Sequence, residues 1–263
     1  MDDLTLISKK YKTDKSTAHN YTVVYDKYFS EFRKSEINLL EIGIGVYDDK
    51  FGGGGSLQMW RDYFEKATIY GLDIIEKKID LGERIKIYQG SQSNINDLKT
   101  LIDDAKKFKI IIDDGSHLNK DQIKSFKILF EYLEEGGLYI IEDIQTSYHL
   151  RDGGDGFYLK NEKTAINYFK SIIDKINYAE IENPFFNFSN DYFARNITDI
   201  HFYHNLIIIR KNNNNEKSNL LSDYQFKAKG KTFVGLRANV KKIRYLLHFF
   251  RWKYNKFLDL LKL

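Results

Sequence analysis

Ile110-Ile111-Ile112-Asp113-Asp114-Gly115-Ser116-His117 is the stretch whose reading decides the fold. An apolar run this short reads as a buried strand. It stops abruptly at two carboxylates, a glycine turn and a histidine. A second run, Gly137-Leu138-Tyr139-Ile140-Ile141-Glu142-Asp143, ends the same way. Upstream, the segments 38–45, 68–73 and 85–90 read as three more strands. Helices are predicted between them: one through Leu57, Trp60, Tyr63 and Phe64 with Ser56 as its cap, one over 95–106 and one over 121–133. Strands alternating with helices imply βαβ units and a mainly parallel sheet. Right-handed crossovers bring all the strand ends to one edge, and open α/β sheets bind their ligands at that edge.

The flanks complete the expected architecture. A glycine-rich loop over 151–156 suits a mobile lid, and a helix over 163–177 follows it. Residues 199–203 and 206–210, separated by His204-Asn205, read as a tight hairpin that adds an antiparallel edge. The expected fold is therefore a Rossmann-like, seven-stranded, mainly parallel sheet with an edge hairpin, flanked by helices. Residues 1–35 form an N-terminal helical cap carrying Thr13-Asp14-Lys15, His19 and Tyr21, and 36–211 form the main domain. Residues 212–263 are a polyasparagine linker and a basic amphipathic helix from about 238. Such a helix packs on its own domain, joins a second copy in a homo-oligomer, or lies on an anionic membrane surface as a peripheral contact.

Composition narrows the function. The chain of 263 residues is 42% hydrophobic, enough for a sizeable core. A net charge of +4 is too small and too evenly spread for a nucleic-acid footprint. There are no cysteines, so no disulfide framework and no thiolate metal site. Neither a signal peptide nor a long apolar span is visible, which reads as a cytoplasmic protein.

Glu41-Ile42-Gly43-Ile44-Gly45 is a short glycine turn of the nucleotide-binding kind. Without a complete G-x-G-x-x-G it does not point to a dinucleotide. Asp73, at the end of the next strand, is placed to accept hydrogen bonds from two ribose hydroxyls. The two features together suggest a nucleoside-type cofactor.

Thr13-Asp14-Lys15, Leu40-Glu41-Ile42-Gly43-Ile44-Gly45, Gly54-Gly55-Ser56-Leu57, Tyr70-Gly71-Leu72-Asp73-Ile74, Gly90-Ser91-Gln92, Asp113 to His117, Ile141 to Tyr148 and His201-Phe202-Tyr203 form an ordered series over about 10–210. With these segments the chain resembles class I S-adenosylmethionine-dependent methyltransferases. More narrowly, it resembles the metal-dependent sugar O-methyltransferases of macrolide biosynthesis, the mycinamicin and tylosin type. The resemblance implies S-adenosylmethionine and Mg²⁺ as cofactors. It implies that Glu41, Gly43 and Asp73 hold the nucleoside cofactor, with Ser91, Gln92 and Asp113 near the adenine and Thr13 and Lys15 folded over it. It implies that Asp114, Glu142 and Asp143 bind the metal, and that His117 with Asp114 carries the catalysis. The C-terminal basic helix has no counterpart in it.

The chemistry is consistent with those residue types. A sugar hydroxyl is a poor nucleophile near neutral pH and needs a base, a Lewis acid or both. Mg²⁺ takes oxygen ligands and keeps open positions for an acceptor. Glu142 and Asp143 can share an ion only if their strand has ended before them, because strand neighbours point to opposite faces. His19, His149, His201 and His204 are rival bases, His149 first among them. The acceptor stays open between a nucleotide sugar, a surface-polysaccharide precursor and a glycoside, with a phosphate or phosphoramidate substituent of a saccharide as the alternative. A reading from another class is a non-catalytic binding module that recruits partners through the basic helix.

Overall fold

A computed structural model of the chain describes residues 3–11, 13–45, 49–181, 188–218 and Phe250. Helices α1 (Asp3–Tyr11) and α2 (Tyr21–Phe29) lead into β1 (Asn38–Ile42), α3 (Gly55–Tyr63), β2 (Thr68–Asp73), β3 (Ile85–Gln89) and α4 (Ile95–Ala105). There follow β4 (Phe108–Asp113), α5 (Asn119–Leu129), β5 (Leu133–Ile141), α6 (Ala165–Ile176), α7 (Tyr192–Asn196), β6 (Ile197–Tyr203) and β7 (Leu206–Lys211). The seven strands form one sheet in the order β3-β2-β1-β4-β5-β7-β6. β1 to β5 are parallel, and the β6–β7 hairpin pairs antiparallel against β5. The chain thus has the expected Rossmann-like sheet with its antiparallel edge.

Alternation along the strands builds two cores, one on each face. Leu40, Ile111, Tyr139 and Ile207 point to the face covered by α4, α5 and α6, with Phe126 and Phe169. Leu39, Ile110, Ile112, Ile140 and Ile208 point to the other face, under α1, α2 and α3, with Tyr25, Phe29, Trp60 and Phe64. The N-terminal helices therefore share a core with the sheet.

Local details differ from the expectations at two helix ends. The N-cap of α3 is Gly54, in the left-handed region at φ 78°, and Ser56 lies inside the helix. Glycine takes that conformation without the penalty a side chain carries. The helix expected over 121–133 starts at Asn119 and ends in a 3-10 turn at Tyr132, so β5 begins already at Leu133. The loop over 151–156 is fastened to the domain: Asn119 Nδ2 donates to Thr146 O and Asp152 O, and Asp155 N donates to Ser147 O. The basic helix expected from about 238 lies outside the described residues apart from Phe250, which is helical. No described helix is long and apolar enough to cross a membrane.

Candidate active site

The parallel strands end at one edge, and the parity of each strand decides which face its last acid takes. Glu41 sits in register with Ile112 and Ile42 with Asp113, while Asp113 is level with Ile141. Counting on by one residue, Asp114 is level with Glu142. Glu41, Asp114 and Glu142 therefore fall on the face of α2 and α3, on the three adjacent strands β1, β4 and β5. Asp113 falls on the face of α5.

Lys15 comes into the first group from the N-terminal segment. Thr13 caps a 3-10 turn over Asp14–Ser16, its hydroxyl accepting from Lys15 N. Asp14 O accepts from Thr17, Ala18 and His19 N, which tightens the turn. The Lys15 side chain is 1% exposed, and its ammonium donates to Asp114 Oδ2 and Glu142 Oε1, both at 2.7 Å. It also lies 3.1 Å from Glu41 Oε1, which accepts no well-aligned hydrogen bond. Glu41 Oε2 accepts from the indole of buried Trp60 at 3.0 Å, and Tyr25 OH donates to Glu142 Oε1. Burial opposes the charge of Lys15, but Asp114, Glu142 and Glu41 outweigh it and hold its pKa well above the usual lysine range. One ammonium cannot balance three carboxylates. Burial first, and their mutual repulsion second, leave Glu142 well above the usual carboxylate range; Asp114 and Glu41 are raised too, against the pull of Lys15. With three acids to one ammonium, the group favours uptake of further positive charge, as a proton or as a metal ion.

The second group is more open. β5 ends at Ile141, and Asp143 turns into the left-handed region at φ 53°. Asp143 thereby leaves the alternation of the strand and comes beside Asp114. His117 also has a positive φ, 56°. One ligand atom from each of Asp114, His117 and Asp143 lies within 4.8 Å of the others. His117 Nε2 is 3.9 Å from Asp143 Oδ2, and His117 Nδ1 is buried with no hydrogen-bond partner. On the far side of Asp143, Tyr21 OH donates to Oδ1 at 2.9 Å and His19 Nε2 lies 3.8 Å away, stacked on Tyr21.

The residues expected at the nucleoside cofactor divide into three sets. Asp73 Oδ2 accepts from Ile44 N at 3.1 Å, which ties the glycine turn to the end of β2. Gly43, at φ +85°, lies so close to the β4 turn that a Cβ would meet Asp114 O at 2.0 Å. Gly45, at φ +84°, has the reverse surroundings: a Cβ there would meet nothing within 4 Å. Among the described residues the turn therefore leaves space at Gly45, the kind of room that lets a ligand approach the backbone closely. Asp113 is fully buried, accepting from Gln92 Nε2 at 2.8 Å and from Ser125 Oγ. Burial raises its pKa to about 6, against the donors Ser125, Gly115 N–H and Gln92. Gln92 Oε1 accepts from Ser116 N at 2.7 Å, so Gln92 and Asp113 together brace the turn before His117. Ser91 N donates to Asp97, at the start of α4. Thr13 and Lys15 are occupied with the turn and the acids.

Of the acids expected at a metal, Asp114 and Asp143 converge with His117, while Glu142 has one oxygen engaged by Lys15 and Tyr25. Among the rival bases His19 reaches Asp143, whereas His149 pairs with Asp152 at 3.5 Å. The contacts of Tyr21 and Tyr25 with the acids, and of the Lys15 ammonium with the acids rather than with the cofactor, were not legible. The one signal for them was the polar cluster from Thr13 to Tyr21.

No family model matches the chain. It is 39% identical over 215 residues to demethylmacrocin O-methyltransferase of Streptomyces fradiae, covering 81% of this chain and 54% of that protein. It is 39% identical over 216 residues to mycinamicin VI 2''-O-methyltransferase of Micromonospora griseorubida, with the same coverage of 81% and 54%. Its fold matches that of a mycinamycin-pathway methyltransferase solved with Mg, SAH and mycinamycin VI, with a TM-score of 0.77 and 38% identity over 82% of this chain and 55% of that one. The chain is homologous to these O-methyltransferases and has their class I methyltransferase fold. It spans about half the length of the curated relatives it matches.

Proposed function

We propose that this chain transfers the methyl group of S-adenosylmethionine to a hydroxyl of a saccharide at a divalent-metal site. The observation that carries this is the convergence of Asp114, Asp143 and His117 within 4.8 Å beside the glycine turn of β1. Glu41, Gly43, Gly45 and Asp73 form the nucleoside cradle, with Ser91, Gln92 and Asp113 shaping the adenine side. Asp114 and Asp143 would hold Mg²⁺, with Glu142 bringing the oxygen that Lys15 and Tyr25 leave free. Bound there, the ion would supply Lewis-acid activation of the acceptor hydroxyl.

The residues of the chain do the rest. His117 Nε2, on the acid side of its ring, takes the proton of the acceptor hydroxyl. Asp143 stabilises the imidazolium that results. Tyr21 and His19 hold Asp143 from its other side, which fixes the acceptor's position relative to the base. This reading admits a glycoside, a nucleotide sugar or a surface-polysaccharide precursor as acceptor, and a relative named for a rhamnosyl tetracenomycin favours the glycoside. The same reading assigns residues 36–211 to the methyltransferase domain, with 212–218 packed on it through Asn214, whose Nδ2 donates to Ile176 O and Ala194 O. Operation in the cytoplasm accords with it.

The test is release of S-adenosylhomocysteine from S-adenosylmethionine with a panel of sugars, with Mg²⁺ and with EDTA. EDTA is expected to abolish turnover and Mg²⁺ to restore it. His117→Ala is expected to lower kcat about 10²–10⁴-fold while leaving cofactor binding intact by calorimetry. Full turnover in EDTA would sink the metal reading. Tight cofactor binding with no turnover on any sugar would favour a binding module instead.

A further inference from the structure

Lys15 stands between the cofactor acid and the metal acids. Its ammonium is hydrogen-bonded to Asp114 and Glu142 and in ionic contact with Glu41. These three carboxylates come from adjacent strands, on one face, with the alternation of the sheet leaving them nowhere else to go. Buried together without a cation they would repel one another strongly. Asp114 is shared: it belongs both to the buried ammonium group and to the open group with His117 and Asp143. A divalent ion drawn to Asp114 and Glu142 therefore meets a positive charge already on those carboxylates.

We propose that Lys15 is a built-in cation of the acid cluster, a positioning residue that lets the site fold before metal arrives and that lowers the site's affinity for the metal by competing for the same carboxylates. This rests on the metal reading given above. Two consequences follow from Coulomb's law alone. Removing the ammonium strengthens divalent binding, because a repulsive neighbour is gone and the negative excess is larger. It also makes the fold dependent on the metal, because the metal becomes the cation that compensates the buried acids.

The experiment titrates Mn²⁺ into the full-length chain without S-adenosylmethionine, by calorimetry and by the electron paramagnetic resonance of free Mn²⁺, and follows thermal unfolding in parallel. The wild type is expected to bind Mn²⁺ with little change in Tm. Lys15→Met is expected to bind at least about tenfold tighter, with a Tm that rises steeply with Mn²⁺. Lys15→Arg keeps the charge and is expected to stay within about threefold of wild type. Folded Lys15→Met with unchanged or weaker Mn²⁺ affinity overturns the proposal, since a merely structural lysine gives that result. If Lys15→Met does not fold in EDTA, Mn²⁺ is expected to restore a cooperative melt. Lys15→Gln, which keeps two hydrogen-bond donors without the charge, is expected to fold more readily and to show the same tighter binding. Failure of millimolar Mn²⁺ to restore either variant overturns the proposal. Binding by the wild type with equal or weaker affinity in the variant sinks this proposal and leaves the metal reading standing; no binding by the wild type sinks both.

Discussion

Lys15 and Lys211 are both buried, at opposite edges of the same sheet, and they are held in opposite ways. Lys15, at the carboxyl ends of the strands, sits among three carboxylates that keep its pKa well above normal. Lys211, at the end of β7, donates to the carbonyls of Phe130, Glu131 and Leu133 at 3.0, 3.1 and 2.7 Å. Burial, and then the nearby Lys107, push its pKa down to about 8. Backbone dipoles therefore suffice where the lysine only closes the end of the Phe130–Tyr132 turn over β5. At the other edge full charges face each other, because the acids gathered there have their own requirement for a cation. The contrast separates a structural edge from a chemical one.

The largest effect that can break this comparison is on stability. Losing Lys15 strands three buried carboxylates, and removing one partner of a buried ion pair typically costs about 3–5 kcal/mol. Lys15→Met is therefore expected to lose that much in urea unfolding without metal. Lys211→Met leaves neutral carbonyls unpaired, and about 1–3 kcal/mol is expected. Equal losses would erase the distinction between the two edges.

Asp113 sharpens it next, as a buried charge with neutral donors, Gln92 and Ser125. Its pKa is raised from 3.8 to about 6 by burial, so the folded state binds the proton more tightly than the unfolded one. Wild type is then expected to lose stability relative to Asp113→Asn as pH rises from about 4 to 6, by roughly 2–3 kcal/mol at a rate of about 1.4 kcal/mol per pKa unit. Urea melts across that range check the sign, and a flat difference would contradict it.

The smallest effect is at alkaline pH. The Lys211 pKa is lower in the folded chain, about 8 against 10.5, so the unfolded state holds more protons between those values. The cost of burying its charge should fade as pH climbs through that window, so the deficit of Lys211→Met relative to wild type is expected to widen. Lys15, held above its ordinary value, keeps its proton in the folded chain while the unfolded chain begins to lose it towards 10.5, so it lends a slope of opposite sign at the top of that window.

Much of the fold was legible because its signals are local. The apolar runs before Asp113 and Glu142, the Gly43–Gly45 turn and the His204-Asn205 hairpin each declare themselves within a few residues. The end of β5 at Ile141 met the condition for Asp143 to leave the face of its strand. The α3 cap was misread because a serine one residue inside a helix looks like a cap when the left-handed Gly54 before it is not recognised. The partners of Glu142 were not legible, because Tyr25 and Lys15 lie 117 and 127 residues away in the chain.

The sequence alone was enough to establish the βαβ order, the edge hairpin and the acids at the strand ends, because hydrophobic period and turn chemistry are short-range properties. Which of those acids meet was decided only by the tertiary structure. Strand order set β1 and β5 on either side of β4, and parity turned Glu41, Asp114 and Glu142 to one face while Asp113 took the other. Three like charges so placed need a cation, and a turn nearly a hundred residues upstream of Asp114 delivers Lys15 to them. Electrostatic compensation acts through space, so the chain between the two groups leaves no mark of it.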